Sequence, residues 1–258
     1  MFRALSIFTE TKTIICSKII LLEKINSEVS DLFYYDPTMI LLIPALLFSL
    51  WAQFKVKSAF AKYSGAASSR GVTSDDAARA ILDANGLRNV RIEHIAGELT
   101  DHYDPRTKVL RLSQSVAGST SIAAIGVAAH ECGHAVQDAV GYAPLKIRNS
   151  IVPVVNICST LSMPLFFIGF LFNYLALIDL GILFFCGVLV FHAITLPVEF
   201  DASGRALKIL SGNGFLNGAE ISGAKKVLTA AALTYVSAMV MSALQLLRLI
   251  LLRNQRRD

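Results

Sequence analysis

The sequence predicts a mainly α-helical fold, in which several membrane-crossing helices accompany one small α+β domain built on an H-E-x-x-H helix. Three observations lead there. The 258 residues are 54% hydrophobic and only 17% charged, with a mean hydropathy of +0.55, too apolar for an ordinary soluble domain. The apolar residues fall in long runs of membrane-crossing length. Between the first and second of these lies a polar stretch with short alternating segments and the sequence HECGH at His130–His134.

Taken in order, residues 1–38 form an N-terminal extension of weak character. The apolar run at 14–22 is too short to span a bilayer and contains Lys18. It suits an amphipathic surface helix, or else Met39 is the native start. Residues 39–54 are the first span, with Pro44 inside and Trp51 as an interface anchor. Lys55, Lys57 and Lys62 follow and place that end in the cytoplasm by the positive-inside rule. Residues 55–150 are the polar domain. A small-residue linker at 64–70 leads to a helix capped by Thr73 or Ser74, with Asp75 and Asp76 at its positive end and Asn85-Gly86 closing it. Residues 90–95 and 109–112 alternate as strands, with a turn at Asp104–Thr107 between them. The motif helix is expected from about Ser121 to Val140, with Gly141 after it.

Residues 151–198 read as a membrane hairpin turning at Asp179. It contains Pro153 and Pro164, which neighbouring helices can accommodate. Residues 199–226 are polar and glycine-rich, without phosphate-loop spacing. Residues 227–252 are the last span, followed by Arg253, Arg256 and Arg257. Counting spans puts that basic tail outside, against the positive-inside rule. The net charge of +5 is read as loop cations beside a membrane, with no basic–aromatic interleaving to suggest nucleic acid. Cys16, Cys132, Cys158 and Cys186 lack paired spacing, so no disulfide framework is expected.

The chemistry concentrates at His130-Glu131-Cys132-Gly133-His134. Residues four apart share a helix face, so both imidazoles can reach one point. Zinc accepts imidazole at roughly 2.0–2.1 Å, and catalytic sites use three protein ligands plus a water. Glu131, beside the first ligand, is placed to take a proton from that water. Cys132 points away round the helix and reads as a packing residue. For the third ligand, His94, His102, His192 and Glu199 are all candidates, and the residues alone leave the choice open.

Several separated segments resemble one family. HECGH is followed by TLPVEFDASGRA at 195–206, and LTDHYDPRTKVLRLS at 99–113 and SGAKKVLTAAALTYVSA at 222–238 agree in order. Together these resemble the prokaryotic membrane zinc metallopeptidases of the YugP-like family, over residues 39–247. That family in turn resembles the heat-shock-type and prenyl-processing membrane zinc proteases of the HExxH (gluzincin) type, whose downstream E-x-x-A-D segment supplies the third ligand. The resemblance implies Glu199 as that ligand, with Ala202 in the alanine position and Ser203 where those relatives carry aspartate. Asp201 is then expected to orient a ligand imidazole from behind.

The resemblance implies a zinc metalloendopeptidase in the cell membrane, multi-pass, with His130, His134 and Glu199 on Zn²⁺ and Glu131 as general base. Arg205 is a candidate oxyanion stabiliser, alternatively an ion-pair partner of Asp201. His102 is a candidate substrate contact, alternatively a turn cap. The expected partners are the lipid bilayer and a membrane-protein or peptide substrate, not nucleic acid, with the site facing the cytoplasm. The alternatives are a zinc-binding membrane adaptor without catalysis and a zinc hydrolase acting on a lipid or other amide.

Overall fold

The computed structural model describes residues 36–256. The short apolar run at 14–22, Cys16 and nearly all of the N-terminal extension lie outside that range. A 3-10 turn, Pro37–Leu41, is capped by Asp36, whose side chain accepts from the Thr38 N–H. It leads into α1, Leu42–Ser64. The helix runs well past residue 54, through all three lysines, because nothing there breaks it and lysine stems can reach outward to water. Lys55 Nζ rests over the Trp51 ring, 4.6 Å from its centroid. Leu47, Leu50 and Phe54 face outward, as a lipid-facing helix requires.

The polar domain follows. Helix α2, Ser74–Ala84, starts at Thr73, whose hydroxyl accepts from the Asp76 N–H. Strands β1 (Arg91–Ile95), β2 (His102–Asp104) and β3 (Val109–Ser113) form a sheet in the order β1-β3-β2. β1 runs parallel to β3 and β2 antiparallel to it. The two alternating segments are therefore strands as expected, and β2 is an additional edge strand. Helix α3, Ile122–Ala139, carries the H-E-x-x-H motif and is capped by Ser121. Its buried Ile125, Ala128 and Cys132 pack with Ile81, Leu82, Leu110 and Leu112 into one core. Cys132 is buried there, its Sγ donating to the Ala78 carbonyl.

Helices α4 (Ala143–Leu171) and α5 (Leu175–Gly212) form the hairpin. Its turn is at Phe172–Tyr174, not at Asp179 as the charge pattern suggested. Asn173 adopts φ 54°, a left-handed conformation that asparagine tolerates better than most residues. Asp179 lies inside α5, where it holds Arg253 at 2.8 and 3.0 Å. The two helices touch backbone to backbone: a Cβ on Gly181 would lie 2.7 Å from the Ser162 carbonyl oxygen. α5 then continues unbroken through Pro197, so residue 199 does not begin a new segment. Helix α6, Gly218–Gln255, opens on a capping box between Asn217 and Glu220. Glu220 also accepts from the Ser69 N–H at 2.6 Å, tying the linker to α6. At the opposite end of the bundle Arg248 pairs with Asp36.

Among the described residues, four helical stretches are long and apolar enough to cross a membrane: Pro37–Ser64, Ala143–Leu171, Leu175–Gly212 and Gly218–Gln255. α5 is about 57 Å long at 1.5 Å per residue, nearly twice the hydrocarbon thickness of a bilayer. Its C-terminal part therefore has length to spare, and that part packs against α3.

Candidate metal centre

α3 and α5 touch where the motif helix has no side chain. A Cβ on Gly133 would lie 2.6 Å from the Ala202 carbonyl oxygen. The glycine inside H-E-x-x-H thus lets α5 approach until Glu199, one turn earlier, reaches the two histidines. The Nε2 atoms of His130 and His134 lie 3.3 and 3.6 Å from Glu199 Oε2. Donor atoms of all three residues fall within 4.8 Å of one another. The side chains are shielded from bulk water, at 15%, 12% and 3% exposure in that order.

The outward-facing nitrogens have partners of their own. His130 Nδ1 lies 3.1 Å from Ser203 Oγ, and His134 Nδ1 lies 3.0 Å from Gln137 Oε1. Gln137 is itself fixed by donating to the Val198 carbonyl and to Asp201 Oδ2, both at 2.8 Å. Asp201 also accepts from Arg205 Nε at 2.6 Å. With both Nδ1 atoms engaged from behind, both Nε2 atoms and one carboxylate oxygen converge on a single point. Two imidazoles and a carboxylate suit zinc in type and number.

Glu131 is buried beside this group. Burial pushes its carboxyl up from the ordinary range, against the opposing pull of His130 and His134. It accepts a hydrogen bond from the Tyr103 N–H at 3.1 Å, so the edge strand β2 sets the position of the carboxylate. Tyr103 in turn donates from its hydroxyl to Asp138 at 2.8 Å, and Lys108 reaches the same carboxylate at 2.5 Å. Both contacts tie the sheet to α3.

The remaining sequence candidates are distributed as follows. His94 is exposed and pairs with Asp75 at 2.5 Å. His192 is on α5, against the Phe191 ring, and is not part of the donor group. His102 lines a recess beside His130 and His134, with Nδ1 2.9 Å from the Thr100 carbonyl. Asp201 contacts no ligand imidazole directly; Gln137 stands between it and His134, while Ser203 occupies the place behind His130. Arg205 is held by Asp201, stacks over Tyr142 at 5.8 Å, and lines a separate groove with Lys208 and Asn213.

Residues that the sequence did not mark also shape the site. Tyr235 of α6 faces both recesses beside the metal group, its hydroxyl in reach of Glu199. Gln137 lies one turn after His134 on the same helix face, a spacing that could have marked it.

The comparisons with known proteins point to a zinc peptidase family. The family described as "Putative neutral zinc metallopeptidase" matches residues 38–254. A relative from Bacillus subtilis (strain 168), "Putative membrane protease YugP", is 50% identical over 218 residues, covering 84% of this chain and 97% of the relative. No solved structure matches significantly. A match over nearly the whole described chain, together with three possible metal donors brought together from two helices, places the protein in that zinc metallopeptidase family.

Proposed function

We propose that the protein is a zinc metalloendopeptidase that cleaves membrane or membrane-adjacent polypeptides at the cytoplasmic face of the cell membrane. The observation that carries this reading is the buried Glu131 carboxylate, held by a strand-edge N–H beside three convergent donors. His130, His134 and Glu199 hold the metal. Zinc, when bound, supplies Lewis-acid activation of a water and of the scissile carbonyl. Glu131 takes the water's proton and passes it to the leaving amine. β2 is an edge strand beside the site, and its Tyr103 N–H holds Glu131; a substrate extended along the remaining groups of that edge would have its scissile bond fixed relative to Glu131. Tyr235 is better placed than Arg205 to stabilise developing negative charge, because Arg205 is committed to Asp201. Asp201 and Gln137 position His134, and Ser203 positions His130.

The placement at the membrane face rests on helix length. The Asp179–Arg253 pair marks a charged end of the bundle. Glu199 lies about 30 Å further along α5, one hydrocarbon thickness away. Lys55, Lys57 and Lys62 sit at the same end as the site and favour the cytoplasm. A three-donor group among the described residues favours catalysis over an adaptor role, since structural zinc sites close with four protein ligands.

The test is Glu131→Gln in detergent-purified protein, with zinc content and cleavage of a membrane-protein substrate pool both measured. Retained zinc with cleavage lost supports the proposal. Unchanged cleavage removes Glu131 from the mechanism, and release of lipid products instead of peptides transfers the activity to another hydrolase class.

A further inference from the structure

The metal group opens on two recesses of opposite character. One, of about 230 Å³, is walled mainly by apolar side chains such as Val56, Phe60, Val127, Leu228 and Ala231. The other, of about 170 Å³, is polar and is lined by Tyr103, Arg148 and Asn149 beside His130, Glu131 and His134. Arg148 lies on α4, near its start. Its Nε is buried and has no hydrogen-bond partner among the described residues. By contrast, Arg79, Arg111, Arg205 and Arg248 each hold a carboxylate.

A buried donor left unmet is costly, and such groups in native proteins call for an explanation. The acids lining the same recess are already engaged. Glu131 accepts from Tyr103 and Glu199 lies between the two histidines. Asp101 accepts from both the N–H and the hydroxyl of Ser113. Arg148 is the only arginine or lysine among the described residues that line this recess, and its Nε is left without a partner there. A fork of parallel N–H groups matches a carboxylate.

We propose that Arg148 binds a carboxylate of the substrate beside the scissile bond, so that the enzyme selects chains carrying an acidic side chain or a free C-terminal carboxylate on that side. The inference rests on the peptidase reading for its meaning, while the carboxylate site itself is a matter of binding. Arg148 acts here on specificity, through substrate affinity.

The experiment uses zinc-loaded full chain in detergent with a set of fluorescein-labelled peptides. One apolar sequence carries a single Glu, Gln or Lys at each position in turn, with an amidated end; a second set has no acidic side chain and a free carboxylate end. Binding is measured on the Glu131→Gln variant and cleavage on the wild type. The expected result is that one Glu position, or the free end, binds at least about tenfold tighter than its neutral counterpart. The set that shows the preference identifies the source of the carboxylate. Arg148→Gln should abolish the preference by raising KM with kcat little changed, and Arg148→Glu should turn it towards Lys. Zinc content and melting temperature establish that each variant folds, and Arg148→Lys, expected to keep part of the preference, serves if the others do not.

Acid-selective binding without cleavage would remove the peptidase reading and leave the carboxylate site standing. Cleavage without acid preference overturns the inference, as does a preference that survives Arg148→Gln. A uniform fall in kcat over all peptides overturns it as well, by moving Arg148 to the reacting oxygen. Failure of every peptide to bind overturns it too.

Discussion

Replacing Gly133 by alanine adds one methyl group at the crossing of α3 and α5. The added carbon would lie 2.6 Å from the Ala202 carbonyl oxygen, and ordinary contact begins at 3.4 Å. α5 must therefore retreat by about 0.8 Å, since the obstructing atom is backbone and cannot rotate away. Overpacking of this kind costs about 1–3 kcal/mol. Alanine returns about 1 kcal/mol through its better helix propensity, so the net loss of stability is about 0–2 kcal/mol. The effect on the metal is larger. Glu199 sits one turn from Ala202 and moves with it, whereas ligand distances tolerate only about 0.2 Å. Zinc affinity is expected to fall at least about a hundredfold, and cleavage by a similar factor. The assay is competition for zinc against a chromogenic chelator, with a thermal melt in detergent beside it. Gly204→Ala is the control: it lies on α5, two residues after Ala202, and an added Cβ there meets nothing within 4 Å. It should raise stability by about 0.5–1 kcal/mol and leave zinc binding unchanged. A Gly133→Ala variant binding zinc within about twofold of wild type would refute the close-approach argument.

Further outcomes follow from the same geometry. Gln137→Ala removes the partner of His134 Nδ1 and disconnects Asp201, and should weaken zinc about 10–100-fold by chelator competition. Ser203→Ala should have a similar but separate effect through His130, and Ser203→Asp should restore affinity, because a carboxylate accepts more strongly from the ring N–H; equal affinities in all three would remove Ser203 from the site. Chelation should abolish cleavage reversibly and lower the melting temperature, the zinc contribution amounting to about 4 kcal/mol at a thousandfold excess over Kd. Helical circular dichroism should survive chelation, since the α4–α5 hairpin and the core around Ile81 and Leu110 do not depend on the metal.

The membrane helices, the two alternating strands, the cap at Thr73 or Ser74 and the H-E-x-x-H helix are legible because each depends on local pattern. Strand β2 is not: three residues, two of them charged or polar, carry no periodicity, and their strand character comes from pairing with β3. The hairpin turn was misplaced because Asp179 looked like a boundary, whereas its charge is met by Arg253 far along the chain. The boundary expected between residues 198 and 199 is absent, because α5 runs on through Pro197. Glu199 was reached through resemblance, since no local rule connects it with a helix so far upstream. Gln137, Tyr235 and Arg148 acquire their roles only when α3, α4 and α6 are packed around one point, which a linear reading cannot supply.

Glu199, carried back by the membrane hairpin, is expected to complete the metal site begun by His130 and His134 on α3. The direct measurement is zinc bound per chain in purified Glu199→Ala, read against wild type and His192→Ala at matched chelator strength. Wild type and His192→Ala should each bind one zinc, and Glu199→Ala should lose it with the fold retained. Full zinc in Glu199→Ala, or loss of it in His192→Ala alone, would contradict that role of Glu199.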